Sequence, residues 1–375
     1  MNIKPLYFAS LCLLSAHSYA VVNGDPMDWS KHDNIIRLDD HPMWGGVIQD
    51  AKGQCTGTLL AGKYILTAAH CLKKEGDVDN VTTASGENHP VAFERFISHP
   101  DYDSSADMSN DVGIIALQDR IHYSTSQQLT NLNQSNLTPD ETIDVTGFGG
   151  TAYDEAPLNR ASFTFSHTHW SDRYPYLVYI SQVNNSHTIG GDSGSAWTNA
   201  QDEIVAIHKG SSLNFSSNSR ETYGINLHYA KGFILETVNA WHSVTKAEVK
   251  ERATITLQSL HNPAMGNVDL ANTLSTEGDV TVINEDSSCL TGTIEPFATC
   301  SIALESTGGE GKVWLSADEY IDINVPSKPD GGDTDNNGTD NNGSASSGGD
   351  SGGSLGWWSL LMLGGFGFYR KGEVK

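Results

Sequence analysis

His187-Thr188-Ile189-Gly190-Gly191-Asp192-Ser193-Gly194-Ser195-Ala196-Trp197 holds a serine between glycines. Such a stretch turns tightly, exposes the hydroxyl, and lets backbone N–H groups point where an oxyanion would form. A serine attacks an amide usefully only beside a base, and the base needs an acid that holds its tautomer. Two earlier segments offer these, Thr67-Ala68-Ala69-His70-Cys71 and Asn110-Asp111-Val112-Gly113-Ile114-Ile115-Ala116-Leu117. Asp103 and Asp107 compete with Asp111, but no alternating apolar strand follows either of them.

The 375 residues suffice for more than one core. With 46 acidic against 22 basic side chains, the formal charge of −24 disfavours nucleic acid as a partner. Residues 1–20 have the form of a secretory signal: Lys4, the apolar run Leu6 to Leu14, and small residues ending at Ala20. Cys12 would leave with it. Cys55, Cys71, Cys289 and Cys300 remain, an even number that suggests two disulfides in an exported chain. Three connectivities exist, and the sequence-local pairs Cys55–Cys71 and Cys289–Cys300 are favoured.

Short apolar or β-branched runs recur from Met43 to Leu227, separated by glycine-bearing turns, with one helical candidate around Gly232 to Trp241. That pattern points to an all-β barrel domain.

Taken in order, TAAHC, NDVGIIAL and GDSGS resemble the three signatures of the chymotrypsin/trypsin-like serine peptidases. Val21-Val22-Asn23-Gly24 resembles their mature amino terminus, VTGFGGT a strand-turn of the second barrel, and Cys55–Cys71 the clamp on the histidine loop. The resemblance covers about residues 21–242 and implies two six-stranded β-barrels. It assigns Ser193 as nucleophile, His70 as base and then acid, and Asp111 as the partner of the imidazolium. It gives the oxyanion hole to the N–H groups of Gly191 and Ser193. It pairs the Val21 ammonium with Asp192, a buried ion pair that needs both members. No Arg or Lys precedes Val21, so signal peptidase itself is expected to make the active terminus; an earlier cut and later trimming is the rival route. No cofactor or metal is expected.

In the resembling family the residue six before the nucleophile floors the primary pocket, and trypsin-like members carry aspartate there. Here it is His187, and Ile189 stands where a bracing cysteine is usual. Thr188 and His208 match spacings of the glutamate-specific bacterial branch, with Lys209 and Gly210 following on the pocket rim. A bound carboxylate needs charge-assisted donors of this kind. Acidic, small or apolar, and basic preferences all stay open.

From 243 to 325 strand-like runs dominate, including Ala253 to Leu257, Cys300 to Leu304 and Gly311 to Leu315. They read as a small immunoglobulin-like β-sandwich, an accessory domain acting as a spacer, with a substrate-presenting or surface-binding role as the alternative. Residues 326–354 are rich in Gly, Asp, Asn and Ser and read as a flexible linker. Residues 355–369, LGWWSLLMLGGFGFY, precede Arg370-Lys371. With Gly352-Gly353-Ser354 they resemble the GlyGly-type sorting signal of Gram-negative bacteria. This implies a rhomboid-like sorting peptidase and type II secretion, placing the chain at the cell surface or in the medium; a retained transmembrane helix is the alternative. The expected activity is a secreted serine endopeptidase acting on proteins or peptides. The competing class is a surface-binding protein with an inactive peptidase scaffold.

Overall fold

The computed structural model describes residues 21–40, 43–44, 47–48, 52–149, 158–214, 219–266 and 268–326. The signal at 1–20, the tail at 355–375 and all of the linker except Pro326 lie outside the described residues. The chain divides into two compact units, Met1–Pro326 and Ser327–Lys375, and everything described belongs to the first.

One seven-stranded sheet runs Asp25–Met27, Leu158–Thr168, Thr142–Gly147, Ala196–Thr198, Ile204–Asn214, Ser219–Asn226, Leu177–Gln182. Its last strand pairs back with Leu158–Thr168, so six of the seven strands close into a barrel. Closure needs strongly bent strands, and two 11-residue strands supply them. Their registers slip between Phe165 and His167 and between His208 and Gly210. Alternating inward residues fill the inside, among them Val145, Phe163, Val178, Ile180 and the wholly buried Trp197.

The other seven-stranded sheet runs Asn88–Pro90, Asn80–Thr82, Ile35–Asp40, Lys52–Leu60, Tyr64–Thr67, Gly113–Ala116, Phe96–Ser98. Among the described residues its two edges do not pair, so it stays open. Both edge strands are only three residues long, and Pro90 has no N–H to give a ladder. One helix, Lys231–Val238, follows a 3₁₀ turn at Leu227–Ala230 and buries Phe233, Ile234, Leu235 and Val238. The expectation of an all-β chain with two six-stranded barrels is therefore corrected. Among the described residues there is one closed six-stranded barrel, one open seven-stranded sheet, further sheets that do not close, and one α-helix.

Beyond residue 240, two four-stranded sheets share a core that includes Ile255, Leu257, Ile302, Leu304, Val313 and Ile321. They are bonded to the preceding part by buried groups. The Gln258 amide accepts from Leu129 N–H at 2.9 Å and donates to Leu129 O at 2.6 Å, as a strand would. His242 bridges Gln127 O and Ala61 N–H at 2.9 and 3.2 Å.

Among the described residues no helix is long and apolar enough to cross a membrane. This corrects the transmembrane-helix expectation. The fifteen uncharged residues 355–369, which lie outside the described residues, also fall short of the roughly 20 that a span requires.

Candidate active site

The strand Tyr64–Thr67 ends in a 3₁₀ turn, Ala69–Leu72, that carries His70. Antiparallel pairing sets Gly113 opposite Thr67, so continuing the register brings Asp111 alongside that turn. Gly113 makes the approach possible: a Cβ there would lie 3.0 Å from Ala69 Cα and 2.9 Å from Leu72 Cδ1. Asp111, with no exposed surface, accepts His70 N–H on Oδ1 at 2.7 Å and faces His70 Nδ1 with Oδ2 at 2.7 Å. The disulfide Cys55–Cys71 ties the turn to the neighbouring strand, and Cys289–Cys300 lies in the later sheets. Both are the sequence-local pairs.

Ser193 comes from the barrel side and is stitched across to the open sheet. Its carbonyl accepts from Thr56 N–H at 2.8 Å, and Gly194 N–H donates to His208 O at 2.9 Å. Gly194 sits at φ 82°, and a Cβ there would reach within 2.3 Å of Thr56 O. The turn passes so close that only glycine fits. Thr56 Oγ1 also donates to Gly191 O at 2.9 Å and accepts from Phe148 N–H at 3.1 Å. Among the described residues no backbone carbonyl accepts the N–H of Gly191 or Ser193.

Asp192 is also wholly buried, and takes Gly149 N–H at 2.8 Å and Ile189 N–H at 2.9 Å. Burial pushes its carboxyl up to about 7, although the N–H groups of Ile189, Gly149 and Val21 pull the other way. Val21 itself is fully buried at φ 39°. Its segment is held by a bridge in which His187 N–H donates to Val22 O at 3.1 Å and by Ser186 Oγ donating to Asn23 O at 2.8 Å.

The expected pocket residues go to different places. Thr188 and His208 are buried, and among the described residues neither Thr188 Oγ1 nor His208 Nδ1 has a hydrogen-bond partner. Burial, then the charge of His70, holds His208 down to about 3, so its ring is neutral. His187 is half-buried with Nδ1 3.2 Å from Asn185 O, and Ile189 is 41% exposed. Gly210 lies against Tyr223, whose hydroxyl would be 3.1 Å from an added Cβ. Lys209 leaves this group: its Nζ is 2.9 Å from Asp111 Oδ2. A cavity of about 450 Å³ opens beside this pair, lined by His70, Asp111, Tyr179, Lys209 and Tyr223. Sequence reasoning missed Thr56, which bonds the serine turn at both Ser193 O and Gly191 O and also receives Phe148 N–H. Nothing in CTGT beyond its place next to Cys55 marked it. Burial raises Asp111, while the His70 hydrogen bond and the charges of His70 and Lys209 bring it down to about 2. It is a carboxylate.

A buried Asp paired with a His, and a glycine-framed serine whose carbonyl lies 3.9 Å from the sulfur of Cys71, the residue after that His, are groups of the kind that serine endopeptidases use. The family model described as Trypsin matches residues 37–234, more than half of the chain, and the chain belongs to the trypsin family. Rat (Rattus norvegicus) Trypsin-4 is 28% identical over 102 residues, covering 26% of this chain and 41% of that protein. Trypsin-1 of Salmo salar is 26% identical over 145 residues, covering 36% and 60%. The matches thus span less than two thirds of these curated relatives' own lengths. Among solved structures, the Vibrio cholerae VesB protease has 17% identity and a TM-score of 0.45, covering 81% of this chain and 97% of that one. The secreted serine protease VesC of the same organism has 16% and 0.44, covering 80% and 70%.

Proposed function

We propose that this chain is an exported serine endopeptidase. Ser193 attacks the scissile carbonyl, His70 takes the serine proton and passes it to the leaving amine, and Asp111 orients the ring and stabilises the imidazolium. The Gly191 and Ser193 N–H groups receive the oxyanion, and water then releases the acyl group from Ser193. The observation that carries this reading is the 2.7 Å contact of buried Asp111 with His70 Nδ1. A serine-directed fluorophosphonate should label the protein and fail on Ser193→Ala; no labelling of the wild type would move the weight to a binding protein on a peptidase scaffold.

Signal peptidase, cutting after Ala20, supplies the ammonium that Asp192 awaits. A β-branched residue at φ 39° is strained while an upstream peptide is attached. An amino-terminal Val21 has no preceding carbonyl to clash with, so the cut relieves that strain. The secretory form of residues 1–20 and the two disulfides support export. Gly352-Gly353-Ser354 and residues 355–375 act as a sorting signal for a rhomboid-like peptidase and type II secretion. Residues 21–242 form the peptidase domain, and 243–325 an accessory part.

Acidic residues before the scissile bond are the preferred substrates. Two buried polar atoms without partners among the described residues, Thr188 Oγ1 and His208 Nδ1, can each donate a hydrogen bond to a carboxylate guest, and neither carries the charge that would pair with a cation. Mapping cuts in a peptide library tests it: cuts after Glu or Asp should fade with Thr188→Val, and cuts after Arg or Lys would reject it.

A further inference from the structure

Lys209 is out of place for a pocket residue. It lies on the strand Ile204–Asn214, where His208 pairs with Gly224 but Gly210 pairs with Tyr223. Lys209 is the extra residue of that bulge, with no partner across the ladder. A bulge re-aims a side chain that strict alternation would send elsewhere. Here the ammonium meets Asp111 Oδ2 at 2.9 Å, the same oxygen that faces His70 Nδ1 at 2.7 Å. The lysine side chain is 13% exposed and the aspartate 0%.

We propose that Lys209 is a positioning residue of the peptidase reaction, holding Asp111 ionised and aimed while opposing positive charge on the His70 ring. The inference rests on the peptidase reading. The carboxylate takes three donors, His70 N–H, His70 Nδ1 and Lys209 Nζ, so it cannot rotate without breaking one. Because imidazole and ammonium share one oxygen, a proton added to the ring is resisted by a cation already in place.

The other ionisable groups around the pair are accounted for. Lys73, Tyr102, Asp103 and Asp107 line the same cavity from the open-sheet side, and Glu221 and Tyr223 from the barrel side. None has a hydrogen bond or ion pair to Asp111, and His208 behind the pair is neutral. Apart from His70, Lys209 is the cation in contact with Asp111 among the described residues.

The test tracks the low-field Nδ1 proton of His70 by NMR across pH in the Ser193→Ala protein beginning at Val21. Lys209→Met should move its transition to higher pH by about one unit, the scale of one partly screened charge nearby. Lys209→Arg should leave it in place. Lys209→Gln, neutral but polar, is read alongside in case the methionine variant does not fold. An unchanged or lowered transition in the neutral variants overturns the proposal. This readout needs no turnover, so it stands apart from the peptidase reading, which fails instead if wild-type protein shows no Ser193-dependent labelling. In active enzyme the acid limb of kcat/KM should move with the proton signal.

Discussion

Asp111 and Asp192 are both carboxyls with no exposed surface, and each accepts backbone N–H, yet their proton affinities are shifted in opposite directions. Asp111 is held down to about 2 by His70 and Lys209. Asp192 is pushed up to about 7, because its N–H donors do not replace a cation. The difference is one full charge within reach. A buried carboxylate keeps its charge only when a cation is supplied. One site has its cations built in; the other, on the function proposed above, obtains its cation when the chain is cut.

Removing the charge at the first site should have the largest effect. Asp111→Asn keeps the shape but supports the wrong tautomer of His70, and kcat should fall by about 10⁴, the cost of the same change in a well-studied Ser-His-Asp enzyme. Steady-state kinetics on a peptide substrate checks it. At the second site, protein that retains Ala20 before Val21 should lose about 10²–10³ in kcat. That is the scale of a missing oxyanion donor, because an unpaired Asp192 does not fix the Gly191–Ser193 turn.

Stability against pH should separate the two sites by sign. Asp192 holds its proton more tightly folded than unfolded in the uncut chain. Its contribution is full below pH about 4 and is lost as pH rises toward about 7. Asp111 is the reverse, with stability present above about 4 and lost as pH falls toward about 2. Urea midpoints of Ser193→Ala protein, with and without Ala20, should diverge on going from pH 4 to 7, the uncut chain being the weaker by on the order of a few kcal/mol. Parallel curves would break the comparison.

Away from both carboxylates, Gly113→Ala should cost about 1–3 kcal/mol, because the new methyl meets the turn that holds His70. Gln258→Ala, which unties the later sheets from Leu129, should cost about 1–3 kcal/mol while leaving the fluorophosphonate rate close to wild type. Denaturant titration reads both.

Much of the site was legible because its chemistry is local. His70, Asp111 and Ser193 each sit in a short motif, and the strand after Asp111 told it apart from Asp103 and Asp107. What depends on pairing across the sheet was hidden. Lys209 read as a pocket-rim residue because a one-residue bulge cannot be seen in IVAIHKG, yet that bulge sends its charge to Asp111. The closed barrel needs two bulged strands, and the open sheet stays open for want of edge residues that can pair. Local periodicity fixes strands, not which edges meet. Thr56 was missed for the same reason: its bonds with Ser193, Gly191 and Phe148 reach residues more than 90 positions away.

The most direct test compares the rate of fluorophosphonate labelling for protein beginning at Val21 with protein retaining Ala20, each against its Ser193→Ala control. Rapid Ser193-dependent labelling that slows about 100-fold or more when Ala20 is kept is the expected result. Equal rates would contradict the idea that Asp192 waits for the Val21 ammonium, and no labelling of either would contradict the peptidase itself.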